Sequence, residues 1–188
     1  VIMTTSFNPG SGKSFISLNL ASTLALKDNK RVLVIDLDLR RASLSKFIDS
    51  PIYGLSSYLT NKISNFDDII IKNPKDSIID ILPIGAIPPN PSELLLNERY
   101  DKLIDDLKEV YDYIILDCPP LGIVADTSIS SRKADMSIFI IRAGLFDKSL
   151  LSELSDVYND KRLPNMAIIL NGVSQRKNSY YGRKGHNY

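Results

Sequence analysis

The stretch Asn8-Pro9-Gly10-Ser11-Gly12-Lys13-Ser14 decides the fold. Before it, Val1-Ile2-Met3-Thr4-Thr5 reads as a buried strand. After it, Ile16, Leu20 and Leu24 recur at helical spacing within Phe15 to Leu26. A strand, a glycine-bearing loop ending in Gly-Lys-Ser and then a helix form the setting that a phosphate-binding loop requires. Glycines let backbone N–H groups turn inward around phosphate oxygens. The helix offers its unpaired N–H groups and positive dipole end to the same anion. Lys13 supplies charge for the outer phosphates, and the Ser14 hydroxyl can ligate Mg²⁺. The first glycine usual in such loops is replaced by Phe7.

Outward from the loop, short Ile/Val-rich runs alternate with helical stretches. Val32 to Ile35, Ile78 to Leu82, Tyr113 to Leu116, Ser137 to Ile141 and Ala167 to Leu170 read as strands. Residues 14–28, about 92–111, about 126–133 and 147–159 read as helices, with 40–75 less regular. This alternation predicts an α/β fold of the P-loop NTPase type, a mostly parallel sheet with helices on both faces. The 188 residues suit one domain, placed at 1–173. Residues 174–188 form a basic tail with Arg176, Lys177, Arg183 and Lys184, no acid, and no apolar periodicity, expected to be mobile. A net charge of +1 gives no general argument for nucleic-acid binding. A single cysteine excludes an internal disulfide framework. No apolar run reaches the roughly 20 residues that span a bilayer. The abrupt start within a core strand suggests a piece of a longer protein.

Ligands of open parallel sheets bind beyond the carboxyl ends of the strands. Two acidic sites fall there. Val32 to Ile35 runs into Asp36-Leu37-Asp38-Leu39-Arg40-Arg41, and Ile114 to Leu116 runs into Asp117-Cys118-Pro119-Pro120. The second is a Walker B pattern, one carboxylate delivered toward Mg²⁺. Asp36 and Asp38 share a face if the strand continues through them. Converging carboxylates repel one another, and Mg²⁺ resolves the conflict. Asn171 either hydrogen-bonds an adenine or forms the turn before Gly172. Cys118 reads as a packed residue without a redox role. Pro88-Pro89-Asn90-Pro91 reads as a rigid turn, with Ser92 capping the next helix.

With these motifs the chain resembles the cytoplasmic domain of the bacterial protein-tyrosine kinases often called BY-kinases. The loop resembles the family's Walker A motif, Val34 to Arg40 its Walker A′ motif, and Ile115 to Pro120 its Walker B motif. Gly54-Leu55-Ser56 and Pro88-Pro89-Asn90-Pro91-Ser92-Glu93-Leu94-Leu95 are similar to two further family segments. The more distant MinD and ParA type of ATPase shares the first three motifs but generally lacks the last, and carries an extra early-loop lysine. The resemblance implies an ATP- and Mg²⁺-dependent tyrosine autokinase acting on a C-terminal cluster, here Tyr180, Tyr181 and Tyr188. It also implies control of capsular or extracellular polysaccharide assembly, ring-like homo-oligomers, and tethering to the cytoplasmic face of the inner membrane by an upstream chain-length regulator.

The expected nucleotide-binding residues are Pro9, Gly10, Ser11, Gly12, Lys13, Ser14, Phe15 and Asn171. The expected catalytic residues are Lys13, Asp36, Asp38 and Asp117, with Ser14, Asp38 and Asp117 around the metal. Asp36 is favoured as the group that orients the acceptor phenol, because it comes directly off the strand. Competing readings are a ParA- or MinD-like ATPase and a nucleotide-sensing assembly scaffold, since each binds ATP with Mg²⁺.

Overall fold

The computed structural model describes residues 1–27, 30–39, 41–74, 77–121 and 126–174. Six strands form one sheet in the order β3-β2-β4-β1-β5-β6. They are β1 (Ile2–Thr5), β2 (Val32–Asp36), β3 (Asp80–Leu82), β4 (Tyr113–Asp117), β5 (Met136–Arg142) and β6 (Met166–Asn171), and every pairing among them is parallel. All parallel strands end on the same side, so the segments that follow β1, β2 and β4 share one edge of the sheet. This places the loop after β1 beside both acidic sites. Register makes the closeness specific: Asp36 is the lateral partner of Asp117, and Thr4 that of Asp117 on the other side.

The central strands of the sheet are buried on both faces, as their continuous apolar runs require, whereas the edge strand β6 leaves Ile168 and Leu170 exposed. One face carries Val34, Ile81 and Ile115 against Ala21 and Ala25 of α1 (Lys13–Leu26). The other carries Met3, Leu33, Ile35, Leu116 and Phe139. The sequence spacing pointed to Ile16, Leu20 and Leu24 as the inner face of α1. The fully covered face is instead Lys13, Ser17, Ala21 and Ala25, with the larger residues half-buried on its flanks. Small side chains let the helix approach closely, and its first turn faces the acids rather than an apolar core.

The helix expected over 92–111 is two. Between α4 (Pro91–Leu96) and α5 (Glu98–Lys108), Asn97 leaves helical geometry and its side chain accepts from Arg99 N at 2.9 Å. Asparagine is a strong N-cap, so the interruption has a local chemical cause. Residues Tyr100, Leu103, Ile104 and Leu107 of α5 are completely buried. At about 1.5–3 kcal/mol for each fully buried large apolar side chain, this face alone explains why α5 docks. The α4 helix starts at Pro91 with Asn90 as cap, two residues earlier than Ser92 suggested.

The irregular region contains α2 (Ser43–Phe47), α3 (Leu55–Leu59) and a 3₁₀ turn at Phe66–Ile69. Backbone pairing fixes it to the loop after β3: Leu55 N donates to Pro83 O at 2.8 Å, Ser56 N to Ile84 O at 2.9 Å and Ala86 N to Ile52 O at 2.9 Å. A Cβ on Gly54 would run into Gly85 N and Pro83 O, so the approach needs glycine there. The remaining helices among the described residues are α6 (Asp126–Ser131) and α7 (Leu151–Asn159), the latter preceded by a 3₁₀ turn at Lys148–Leu150. Among the described residues no helix is long and apolar enough to cross a membrane.

Candidate active site

The loop after β1 is internally braced. Ser6 Oγ and Ser11 Oγ both donate to Asn8 O, at 2.8 and 2.9 Å. Gly10 and Gly12 take φ of 75° and 94°, a region that side-chain-bearing residues avoid. Ile16 N donates to Gly12 O at 3.0 Å, so the helix starts directly from the loop. Phe7, in the place of the missing glycine, is an anchor. Its ring packs edge-on to Phe139 at 4.9 Å between centroids and stacks with Phe146 at 6.2 Å.

A cavity of about 190 Å³ opens at this edge of the sheet. Of the residues expected to bind nucleotide, Pro9, Gly10, Gly12, Lys13, Ser14 and Phe15 line it. Ser11 does not; it is buried, with its hydroxyl turned onto Asn8 O. Asn171 also lies outside the lining, but its amide reaches the loop: Nδ2 donates to Ser11 O at 2.9 Å and Oδ1 accepts from Gly172 N at 2.8 Å. Of the three acids, Asp38 and Asp117 line the cavity. Arg41, Ser43, Cys118 and Pro120 complete it. Arg41 had a signal in the sequence, a basic residue just after the acidic pair; Ser43 had none.

Asp36 is the departure. The strand ends at Asp36, and the chain turns so that Leu39 N donates to Leu37 O at 2.9 Å and Ala42 N to Asp38 O at 2.9 Å. The two aspartates therefore do not share a strand face. Asp36 is fully buried behind the cavity wall, where its Oδ2 accepts from Ser45 N and Ser45 Oγ, both at 2.8 Å, and its Oδ1 from Asp38 N at 3.2 Å. The expectation that Asp36 and Asp38 present themselves together on one strand face is corrected on this geometry: Asp36 is not in the cavity lining, and its hydrogen bonds hold α2 and the backbone of Asp38.

Burial dominates the electrostatics of the cavity. Burial lowers the Lys13 ammonium below its ordinary value, against the pull of Asp117 and Asp38, and its Nζ donates to Ser6 Oγ at 3.3 Å. Burial raises Asp117 to about 6, opposed by a hydrogen bond from Ser14 and the charge of Lys13. Ser17 Oγ and Thr4 Oγ1 donate to Asp117 Oδ1 at 3.3 and 3.5 Å. Burial and the charge of Asp117 raise Asp36 to about 7. Cys118 is fully buried and its thiol is pushed well up by burial, so it stays neutral. Among the described residues no group of three His, Cys, Asp or Glu makes a self-contained metal cage. A hydroxyl and two acids with room between them suit a Mg²⁺ that arrives with phosphate oxygens and water. Positive-φ glycines, a desolvated ammonium and protonation-prone acids together fit a metal–triphosphate.

A family profile described as "AAA domain" matches residues 1–159. The chain is 36% identical over 184 residues to the tyrosine-protein kinase Etk of Escherichia coli K12, covering 96% of this chain and 25% of that protein. It is 33% identical over 182 residues to the tyrosine-protein kinase CpsD of Streptococcus agalactiae serotype Ia, covering 96% of this chain and 77% of that protein. The chain belongs to the bacterial tyrosine-protein kinase family. The solved kinase domain of the E. coli tyrosine kinase ETK superposes with a TM-score of 0.84 at 34% identity, over all of this chain and 71% of that one. The chain thus spans a quarter of the E. coli relative's length, and its fold is that of the family's kinase domain. Tyr180, Tyr181, Tyr188 and Arg40 lie outside the described residues.

Proposed function

We propose that this chain transfers the γ-phosphoryl group of ATP to protein tyrosine, with its own Tyr180, Tyr181 and Tyr188 as acceptors. The observation that carries the reading is the convergence of Lys13, Asp38 and Asp117 on one cavity at the mouth of the phosphate loop. When bound there, MgATP supplies the phosphoryl group and a divalent charge. The N–H groups of the loop and of the first turn of α1 would bind the phosphates, Lys13 Nζ would neutralise the outer ones, and Ser14 Oγ with Asp117 would hold the metal. Ser17 and Thr4 keep the Asp117 carboxylate aimed.

Asp38 takes the acceptor side. Its backbone is set by Asp36, and its Oδ1 accepts from Arg41 N at 3.1 Å, which leaves Oδ2 to receive a phenol. A free phenol titrates near 10 and a carboxylate near 4, so removing the proton before attack costs about 8 kcal/mol. Phosphoryl transfer is loose, with little bonding to the nucleophile at the transition state. Asp38 therefore orients the hydroxyl first and receives its proton late. Arg41, in the cavity wall, adds positive charge for the phosphate oxygens that gain charge as the leaving group departs.

The wider setting rests on the family. The E. coli relative is about four times the length matched here. We take the chain to work beside a membrane-embedded chain-length regulator at the cytoplasmic face, in a ring of like copies that serves capsular or extracellular polysaccharide assembly. The first test is a pair of variants incubated with MgATP and probed for phosphotyrosine. Asp38→Asn abolishes labelling while keeping nucleotide binding. Changing Tyr180, Tyr181 and Tyr188 together to Phe removes most of the label. Full labelling in Asp38→Asn refutes its role, and full labelling in the triple variant moves the acceptors elsewhere.

A further inference from the structure

β5 and β6 end side by side at the phosphate loop, and their last residues, Arg142 and Asn171, are register partners. Both side chains turn onto the loop. Arg142 Nη1 donates to Gly10 O at 2.6 Å, and Asn171 Nδ2 donates to Ser11 O at 2.9 Å. The acceptors are consecutive carbonyls. The amide of Asn171 is held in the orientation this needs, because its Oδ1 accepts from Gly172 N at 2.8 Å. The strand ends are tied as well, with Ala143 N donating to Asn171 O at 2.9 Å. Gly12 belongs to the same fit: a Cβ there would collide with Asn171 Nδ2.

The consequence follows from peptide geometry. In a trans peptide the C=O of one residue and the N–H of the next point in opposite directions. Pinning Gly10 O and Ser11 O toward the strand ends turns the N–H groups of Ser11 and Gly12 the other way, toward the cavity. Those are the groups that a phosphate-binding loop must present. We propose that Arg142 and Asn171 are positioning residues that hold the loop in its anion-binding geometry, and that Asn171 serves the loop rather than the base. The proposal rests on the reading of this cavity as a triphosphate site.

The test uses the full chain with Arg142→Met, Arg142→Lys and Asn171→Ala, and two ligands, MgATP and base-free magnesium tripolyphosphate. Calorimetry gives both dissociation constants. Amide hydrogen exchange over residues 10–13, without ligand, reports the loop itself. Arg142→Met and Asn171→Ala each weaken both ligands by the same factor, about tenfold, the size of one lost hydrogen bond to a charged or fixed partner. Both speed exchange in the loop. Arg142→Lys keeps one donor and recovers most of the affinity. Weakened MgATP with unchanged tripolyphosphate makes these residues base contacts and overturns the proposal. So does unchanged loop exchange, whatever the affinities. If Asn171→Ala fails to fold, Asn171→Asp takes its place, since it matches the shape but sets an acceptor against Ser11 O. If the wild type binds neither ligand, the triphosphate reading fails, and the exchange measurement still decides the clamp.

Discussion

Burial acts on Lys13, Asp36 and Asp117 in one sense, toward less charge. Asp36 and Asp117 are pushed up to about 7 and about 6, against roughly 4 in the unfolded chain. Between those values the folded protein holds protons that the unfolded chain has released, so stability falls as pH rises from 4 through 7. Urea unfolding of the nucleotide-free protein is therefore expected to give a lower stability at pH 8 than at pH 5. Asp36→Asn, which cannot ionise, should reduce that difference. An equal slope in wild type and variant would show that Asp36 is not the group being titrated. The position of Asp36 was legible in the sequence, but its role was not. Two acids two residues apart share a face only in a continuing strand, and nothing local announces that Leu37 to Ala42 folds back on itself. Arg142 was equally silent, because its partner is a backbone carbonyl 132 residues away.

At the scale of elements, short apolar runs marked the strands, most clearly where a parallel strand buried on both faces carries its apolar signal in nearly every residue, as β2 and β4 do. Helices were less legible where function or capping intervened. The inner face of α1 is polar at its start because Lys13 and Ser17 belong to the site, and Asn97 caps a second helix inside an otherwise unbroken periodic stretch. The Gly54–Gly85 contact shows what the two flanking segments do. They zip α3 to the loop after β3, and Ser45 Oγ, which also bonds Asp36, accepts from Ile84 N at 3.0 Å. Gly54→Ala should thus cost roughly 1–3 kcal/mol, the usual penalty for overfilling a packed contact, read as a lower urea midpoint. A neutral outcome would mean that the two segments move apart freely.

For the molecule as a whole, sheet order matters more than any single motif. Placing β4 between β2 and β1 brings three loops from distant parts of the chain to one cavity, and the order of motifs in the sequence already implied that edge. The fold and family were legible because the loop, the two acidic strand ends and the Pro-Pro-Asn-Pro segment each restrict the answer independently. The chain spans a quarter of the E. coli relative's length, and the proposed acceptors Tyr180, Tyr181 and Tyr188 fall outside the described residues. The most direct measurement is the intact mass of the purified chain after incubation with MgATP, for wild type and for Lys13→Met. The wild type should gain whole phosphate increments that a tyrosine phosphatase removes, and Lys13→Met should gain none. Unchanged mass in the wild type, or equal gains in both, would contradict phosphoryl transfer from a triphosphate gripped by Lys13.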